Sequence, residues 1–148
     1  MSLYPIVLHA HSVLRYFVLL FVVIAIANSL KGLMLKFTYG KTDKTIALIA
    51  LASFHLQVLL GILLYCLSPK VLFSKAMFHF DILRFFTIEH SSMMILSAVF
   101  ITIGYSRAKR SIGLNGHKQI LIFYLLALLI VLWAIPWPFK EALGGRWF

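Results

Sequence analysis

Residues 5–30 read PIVLHAHSVLRYFVLLFVVIAIANSL, and this stretch decides the class of fold. It contains no acidic residue, and Arg15 is its only lysine or arginine. A helix that crosses a bilayer needs about 20 consecutive apolar residues. Because the run is long and shows no alternation of apolar and polar positions, it predicts a membrane-crossing helix and not a strand.

Three further stretches have the same character, at residues 45–67, 83–105 and 117–135. Of the 148 residues, 62% are apolar and 12% are charged, whereas a soluble domain is about half apolar and about a quarter charged. This composition excludes a soluble domain, and its high hydrophobicity excludes a disordered chain. We therefore predict an all-α fold over residues 1–148: a single transmembrane domain, built as an up-and-down four-helix bundle in a lipid bilayer.

The basic residues predict the orientation of the bundle. The formal net charge is +10, from 14 Lys+Arg against 4 Asp+Glu. Basic residues concentrate in the first and third connections, and cytoplasmic loops of membrane proteins carry such an excess. This pattern predicts a multi-pass protein of the bacterial inner membrane with both termini on the periplasmic side, and no nucleic-acid partner. The residues concerned are Lys31, Lys36, Lys41 and Lys44 in the first connection, and Arg107, Lys109, Arg110 and Lys118 at the third.

Several ionisable residues fall within the predicted spans, where by default they mark a functional site because their burial in lipid is costly. Each of the four helices contributes at least one histidine. The candidates for cofactor binding are His11 and Arg15 in the first span, His55 in the second, Arg84, Glu89 and His90 in the third, and His117 in the fourth.

Helical geometry favours His11 and His90 as a pair of iron ligands. At 1.5 Å per residue, His11 lies about 9 Å below Pro5, and His90 lies about 9 to 10 Å below Arg84. The first and third helices of an up-and-down bundle are diagonal neighbours across the core. Two imidazoles at one depth on opposite sides of a core are the ligands that a bis-histidine haem requires.

His55 and His117 are less favoured as ligands. His55 lies near the middle of its span and is the alternate axial ligand, whereas His117 lies at the cytoplasmic edge. Their depths differ by about 15 Å, so one haem is predicted in preference to two. Hydrogen bonding between helices is the alternative role for His11 and His90, a bond with Gln57 is the alternative for His55, and an interfacial position is the alternative for His117.

Two arginines and one acid surround the predicted haem site. Arg15 and Arg84 are candidates to bind the haem propionates. Arg15 shares a helix face with His11, since the two residues are four apart. A lone buried charge is costly, so Arg15 is also predicted to pair with Glu89.

Short motifs carry a resemblance to a known family. They are HSVLRY at residues 11–16, FHLQVLLG at 54–61, RFFTIEHSSMM at 84–94, residues 104–107, His117-Lys118, and IPWPF at 135–139. Taken together, the sequence resembles small bacterial four-helix membrane proteins labelled cytochrome b or cytochrome b-like, over most of the chain. The resemblance implies haem b and electron transfer.

The leading hypothesis is a b-type cytochrome that passes electrons within the membrane. It has no soluble domain, nucleotide motif or evident catalytic nucleophile, so it is expected to depend on membrane redox partner subunits or quinone and not to act as a stand-alone enzyme. One alternative is a non-catalytic structural subunit of a larger membrane complex. Another is a quinone- or proton-handling protein that uses Glu89 and His90. Assembly into a homo-oligomer is left open.

Overall fold

The computed structural model describes residues 3–143, which form four long helices. Their bounds are Leu3–Met34 (α1), Lys41–Leu67 (α2), Asp81–Arg110 (α3) and Asn115–Ala134 (α4). Each helix is long and apolar enough to cross a membrane. The part of the chain that the structure describes contains no strand, so the predicted all-α fold is confirmed.

The helices form a ring in chain order. α1 packs against α2 and α4, and α3 packs against the same two helices. α1 and α3 are therefore diagonal, as are α2 and α4. Connections 35–40 and 111–114 lie at one end, called here the basic end because of the lysines and arginines around it, and connection 68–80 lies at the opposite end.

The helices run farther than the apolar stretches. α1 continues past Lys31, and α3 continues through Arg107 to Arg110. The predicted connection over residues 106–116 thus shrinks to residues 111–114. The reason is that hydropathy detects only the part of a helix within the hydrocarbon, whereas lysine and arginine are good helix formers that extend the helix into the headgroup region.

Small side chains line many of the contacts between the helices, beside a few large buried ones such as Tyr124, Ile101 and Ile120, and many large apolar side chains point outward. Leu59, Ile62 and Trp133 are among many large apolar side chains that are exposed. Small residues let helix backbones approach closely, which is how helices associate in a membrane. The bundle therefore suits a lipid surrounding. Its buried small residues include Ala25, Ser29, Ala47, Ala50, Ser97, Ala108 and Ala127.

A π-helical turn interrupts α3 at residues Phe85–Glu89. The backbone N–H of His90 donates to the carbonyl of Phe85, five residues earlier. The Tyr65 hydroxyl of α2 donates to the carbonyl of Thr87 at 2.8 Å, which ties the turn to its neighbour. Single π turns are rare and occur often at functional sites, and this one ends at the predicted haem ligand.

Candidate functional site

His11 lies at the α1–α2 contact, near the end of the bundle opposite the basic end. Its ring packs against Gly61, where an added Cβ would come within 3.3 Å of the imidazole Cε1. Gln57 of α2 donates its side-chain N–H to the His11 backbone carbonyl at 2.9 Å. The His11 Nδ1 is buried and has no hydrogen-bond partner. The fold thus holds the backbone of His11 and leaves a ring nitrogen unused.

His90 is anchored through one ring nitrogen. Its Nδ1 lies 2.9 Å from the carbonyl oxygen of Ala134, the last residue of α4. Carbonyls in the last turn of a helix lack partners within the helix, and α4 ends here because Pro136 follows. A carbonyl only accepts hydrogen bonds, so Nδ1 carries the proton and Nε2 keeps its lone pair.

The two histidines face one region of the core. His11 lies about 12 Å along α1 from Leu3, and His90 lies about 13 Å along α3 from Asp81, at 1.5 Å per residue. The two imidazoles lie close enough for their charges to interact, and the Arg15 guanidinium interacts with both. His11 and His90 thus lie on the diagonal helices α1 and α3, each about 12 to 14 Å from the start of its helix, and their pairing as iron ligands stays a prediction.

Glu89 contacts Arg84 and not Arg15, so the predicted Arg15–Glu89 pair is wrong. The Nε of Arg84 lies 2.8 Å from the Glu89 carboxylate, and its second terminal nitrogen lies 2.9 Å from Asp81. The π turn explains the pairing, because its i to i+5 hydrogen bonding places residues five apart on one side of the helix. Arg84 is therefore engaged by two carboxylates.

Arg15 contacts its own neighbour in sequence. Its guanidinium donates to the Tyr16 hydroxyl at 3.0 Å and lies 4.8 Å from the centre of the Tyr16 ring. The positive charge of the Arg15 guanidinium therefore acts on His11 and His90, and Arg15 forms no ion pair with Glu89. Of the two arginines predicted to face a haem propionate, Arg15 is the one near both histidines.

His55 lies apart from His11 and His90. It is exposed on the surface between α2 and α3, where its Nε2 lies 3.0 Å from the hydroxyl of Thr102. It lies six residues from Gly61, which places it about 120 degrees around α2 from the residue that touches His11. The expected bond between His55 and Gln57 is also replaced, because Gln57 binds the His11 carbonyl.

His117 lies at the basic end, in the first turn of α4, and its side chain is packed inside the bundle with only 1% exposed. Its ring packs against Gly32 of α1 and lies edge-on to Tyr39, with 5.0 Å between ring centres. Both ring nitrogens lack a hydrogen-bond partner. Gly32 is 21 residues from His11, about 31 Å along α1. His117 is therefore remote from the two paired histidines.

Asp43 organises the polar side chains around His117. Its carboxylate accepts hydrogen bonds from the Asn28 amide at 2.7 Å and the Gly40 backbone N–H at 2.8 Å, and lies 4.0 Å from the His117 Nε2. Burial and then the charge of Asp43 raise the pKa of the neighbouring Tyr39 hydroxyl. Sequence reasoning missed this cluster. The available signal was that Asp43 is the one acid among the basic residues of the first connection.

A cleft at the end opposite the basic end was also missed. It has a volume of about 300 Å³, and it combines the Arg84 ion pairs with the exposed ring of Trp133. Lys140 closes one side, since its ammonium donates to the Trp133 carbonyl. Residues from separate elements build the cleft, so no local motif could indicate it.

The histidine pair fits a haem better than a metal bound by protein ligands alone. Within residues 3–143, no group of three or more His, Cys, Asp or Glu side chains could hold a metal ion. A haem needs only two axial ligands from the protein, because its macrocycle supplies the other four. The unused Nδ1 of His11, the lone pair of His90 Nε2 and the absence of a side chain at Gly61 are consistent with such a group.

Comparisons with family models, with curated proteins and with solved structures gave no match. The resemblance to cytochrome b-like proteins therefore stays a prediction from the sequence motifs.

Proposed function

We propose that the protein is a membrane electron-transfer protein that binds one b-type haem between His11 and His90. The observation that supports this proposal is that two imidazoles on diagonal helices each keep a ring nitrogen available, since the His11 Nδ1 is buried without a partner and His90 is held through its Nδ1 alone. When bound, the haem would supply a one-electron couple within the bilayer. The helical bundle would hold the haem away from water, and membrane redox partners or quinone would exchange electrons with the haem.

The residues around the two histidines have distinct roles in this proposal. The Nδ1–H of His90 donates to the Ala134 carbonyl, which fixes the ring orientation and makes Nε2 a stronger ligand. Gln57 holds the backbone of His11 in place. Arg15 supplies a positive charge that favours a bound propionate and disfavours oxidation of the iron.

The proposed setting is the bacterial inner membrane. The eight basic residues around the connections 35–40 and 111–114 support a cytoplasmic position for that end. The His11–His90 pair then lies toward the periplasmic side, together with both chain termini.

Optical spectroscopy of the purified protein tests the proposal. Cells supplied with haem precursor should yield a coloured protein with a Soret band and a sharp α band after reduction. His11→Ala and His90→Ala should each remove most of the bound haem, because an axial bond is lost. His79→Ala is the matched control, since His79 is exposed in connection 68–80. A folded but colourless parent protein contradicts the proposal and favours the structural-subunit alternative.

The cleft beside Trp133 favours quinone as the electron partner, which is a second candidate function. Its exposed indole offers a flat stacking surface, and the Arg84 guanidinium offers donors for a quinone oxygen. Adding a short-chain quinone to the purified protein should quench tryptophan fluorescence with saturation. Trp133→Phe should remove that saturable quenching. Equal saturable quenching in this variant excludes the cleft as the binding site.

A further inference from the structure

The basic end carries cations that the bundle itself does not neutralise. All four helices and connection 35–40 contribute to them. Within residues 3–143, none of these cations forms an ion pair with a carboxylate. Asp43 is the one acidic residue that the described part of the chain places at this end, and its carboxylate is engaged by Asn28 and Gly40. We call the following residues the basic surface: Lys31, Lys36, Lys41, Lys44, Arg107, Lys109, Arg110 and Lys118.

The two connections at this end are held together, so the cations belong to one surface. The backbone N–H of Tyr39 donates to the carbonyl of Gly113 at 3.1 Å. The buried ring of Tyr39 packs against Gly116 in the first turn of α4. Lys44 is half-buried, and the other seven side chains of the basic surface are exposed. The basic surface is therefore open to a partner from outside the bundle.

The helix dipoles indicate that this partner is an anion. Lys41 and Lys44 lie in the first turn of α2, and Lys118 lies in the first turn of α4. The N-terminal end of a helix carries a partial positive charge, so a cation is disfavoured there. The first turn of α2 contains only Asp43 as an acid, and the first turn of α4 contains none. The fold alone therefore gives no reason for these three lysines.

Exposed apolar side chains on the same connections indicate where the anion lies. Phe37 is 59% exposed and follows Lys36, and Ile112 is 89% exposed in connection 111–114. The Arg107 guanidinium lies 5.6 Å from the centre of the Phe123 ring, against the apolar flank of the bundle. Basic side chains mixed with exposed apolar ones suit the boundary between lipid headgroups and acyl chains.

We infer that the basic surface binds anionic phospholipids of the surrounding membrane, with lipid phosphates bound by the lysines in the first turns of α2 and α4. Such a lipid meets both features, because its phosphate neutralises the cations and its acyl chains cover Phe37 and Ile112. A soluble acidic protein would neutralise the charge but would not provide an apolar surrounding for these two side chains. The inference requires that the bundle lies in a membrane, and it does not depend on haem.

Lipid retention tests the inference on the full chain. The protein is extracted with detergent from vesicles of equal parts phosphatidylglycerol and phosphatidylcholine with the same acyl chains, and native mass spectrometry counts the retained lipids. Phosphatidylglycerol should be retained about 5-fold more than phosphatidylcholine, since one basic residue near an anionic surface favours binding by about this factor. Equal retention of the two lipids overturns the inference, and saturable binding of a polyglutamate peptide would then indicate an acidic protein partner.

Two matched double variants separate the basic surface from general attraction to anionic lipid. Lys41→Gln, Lys118→Gln should lower the preference for phosphatidylglycerol about 2-fold or more, because both lysines are proposed to bind phosphate. Lys70→Gln, Lys75→Gln removes the same charge at the opposite end and should keep the preference. An unchanged preference in the first variant, or an equal fall in both variants, overturns the inference.

Thermal unfolding in phosphatidylcholine separates lipid binding from a structural role of the lysines. Lys41→Gln, Lys118→Gln should unfold at the same temperature as the parent or at a higher one, because cations are removed from two helix N-termini. In phosphatidylglycerol the same variant should lose part of the stabilisation that this lipid gives the parent. A variant that is less stable than the parent by the same amount in both lipids overturns the inference.

Discussion

Arg84 and Glu89 form a 2.8 Å ion pair across a single π-helical turn of α3. An uninterrupted α-helix would turn residues five apart about 140 degrees away from each other. The π turn thus gives Glu89 a partner within its own helix. It also leaves the charge of Arg15 beside the two histidines.

A double-mutant cycle checks this assignment. Arg84→Leu and Glu89→Gln should be non-additive, with the double variant losing less thermal stability than the two single losses combined, because the pair is broken only once. Arg15→Leu and Glu89→Gln should be additive. The measurement is the unfolding midpoint in detergent. Additivity at Arg84 together with coupling at Arg15 contradicts the assignment.

A side chain at Gly61 should displace the His11 ring. A Cβ added at Gly61 would lie 3.3 Å from the His11 Cε1. Gly61→Leu should therefore lower the free energy of unfolding by about 1–3 kcal/mol through overpacking. It should also reduce bound haem per chain, because His11 moves. Leu59→Phe is the control, since Leu59 is 62% exposed. A Gly61→Leu variant with unchanged haem content places the haem elsewhere.

His117→Phe should be tolerated or stabilising. The ring is fully buried, and neither nitrogen has a hydrogen-bond partner. Each buried polar atom without a partner costs about 1–3 kcal/mol, and phenylalanine removes that cost with a small increase in volume. Thermal unfolding measures the effect. A loss of more than about 3 kcal/mol means that a polar partner binds the imidazole in the membrane.

Gly32→Ala should destabilise the basic end by about 1–3 kcal/mol, because the His117 ring occupies the space that a Cβ needs. The double variant Gly32→Ala, His117→Ala should recover part of that loss, since the ring is then absent. Unfolding midpoints of the four proteins provide the comparison. Full additivity would show that the two residues are not in contact.

Tyr39→Phe should reduce the fall in the free energy of unfolding that the parent protein shows at alkaline pH. Burial and the Asp43 charge raise the pKa of Tyr39 in the folded chain above its usual value near 10. As the pH rises through 10, the unfolded chain releases this proton first, and the free energy of unfolding falls. Phenylalanine has no such proton, so the variant should lose less stability than the parent between pH 9 and pH 11. Identical slopes contradict the buried position of Tyr39.

The sequence could predict the features that depend on hydrophobicity and on helical spacing. Long apolar runs predict membrane helices whatever their partners, and the up-and-down order follows from short connections. The similar distances of His11 and His90 from the starts of α1 and α3 follow from counting residues along each helix. These inferences need no knowledge of side-chain contacts.

Side-chain partners could not be predicted in the same way. The π turn at residues 85–89 has no sequence signature, and it alone decides that Glu89 binds Arg84. The burial of His117 depends on Gly32, which is distant in sequence and provides the space for the ring. The outward position of His55 depends on the rotation of α2 about its axis, which a nearly uniform apolar helix does not specify.

Haem titration of the purified, haem-free protein tests the central claim most directly. The account predicts saturable binding of one haem per chain, with the spectrum of a low-spin iron that has two histidine ligands. It predicts that His90→Ala loses this spectrum while His79→Ala keeps it. The account is contradicted if the folded parent protein shows no saturable binding, or if His11→Ala and His90→Ala bind haem with the unchanged spectrum.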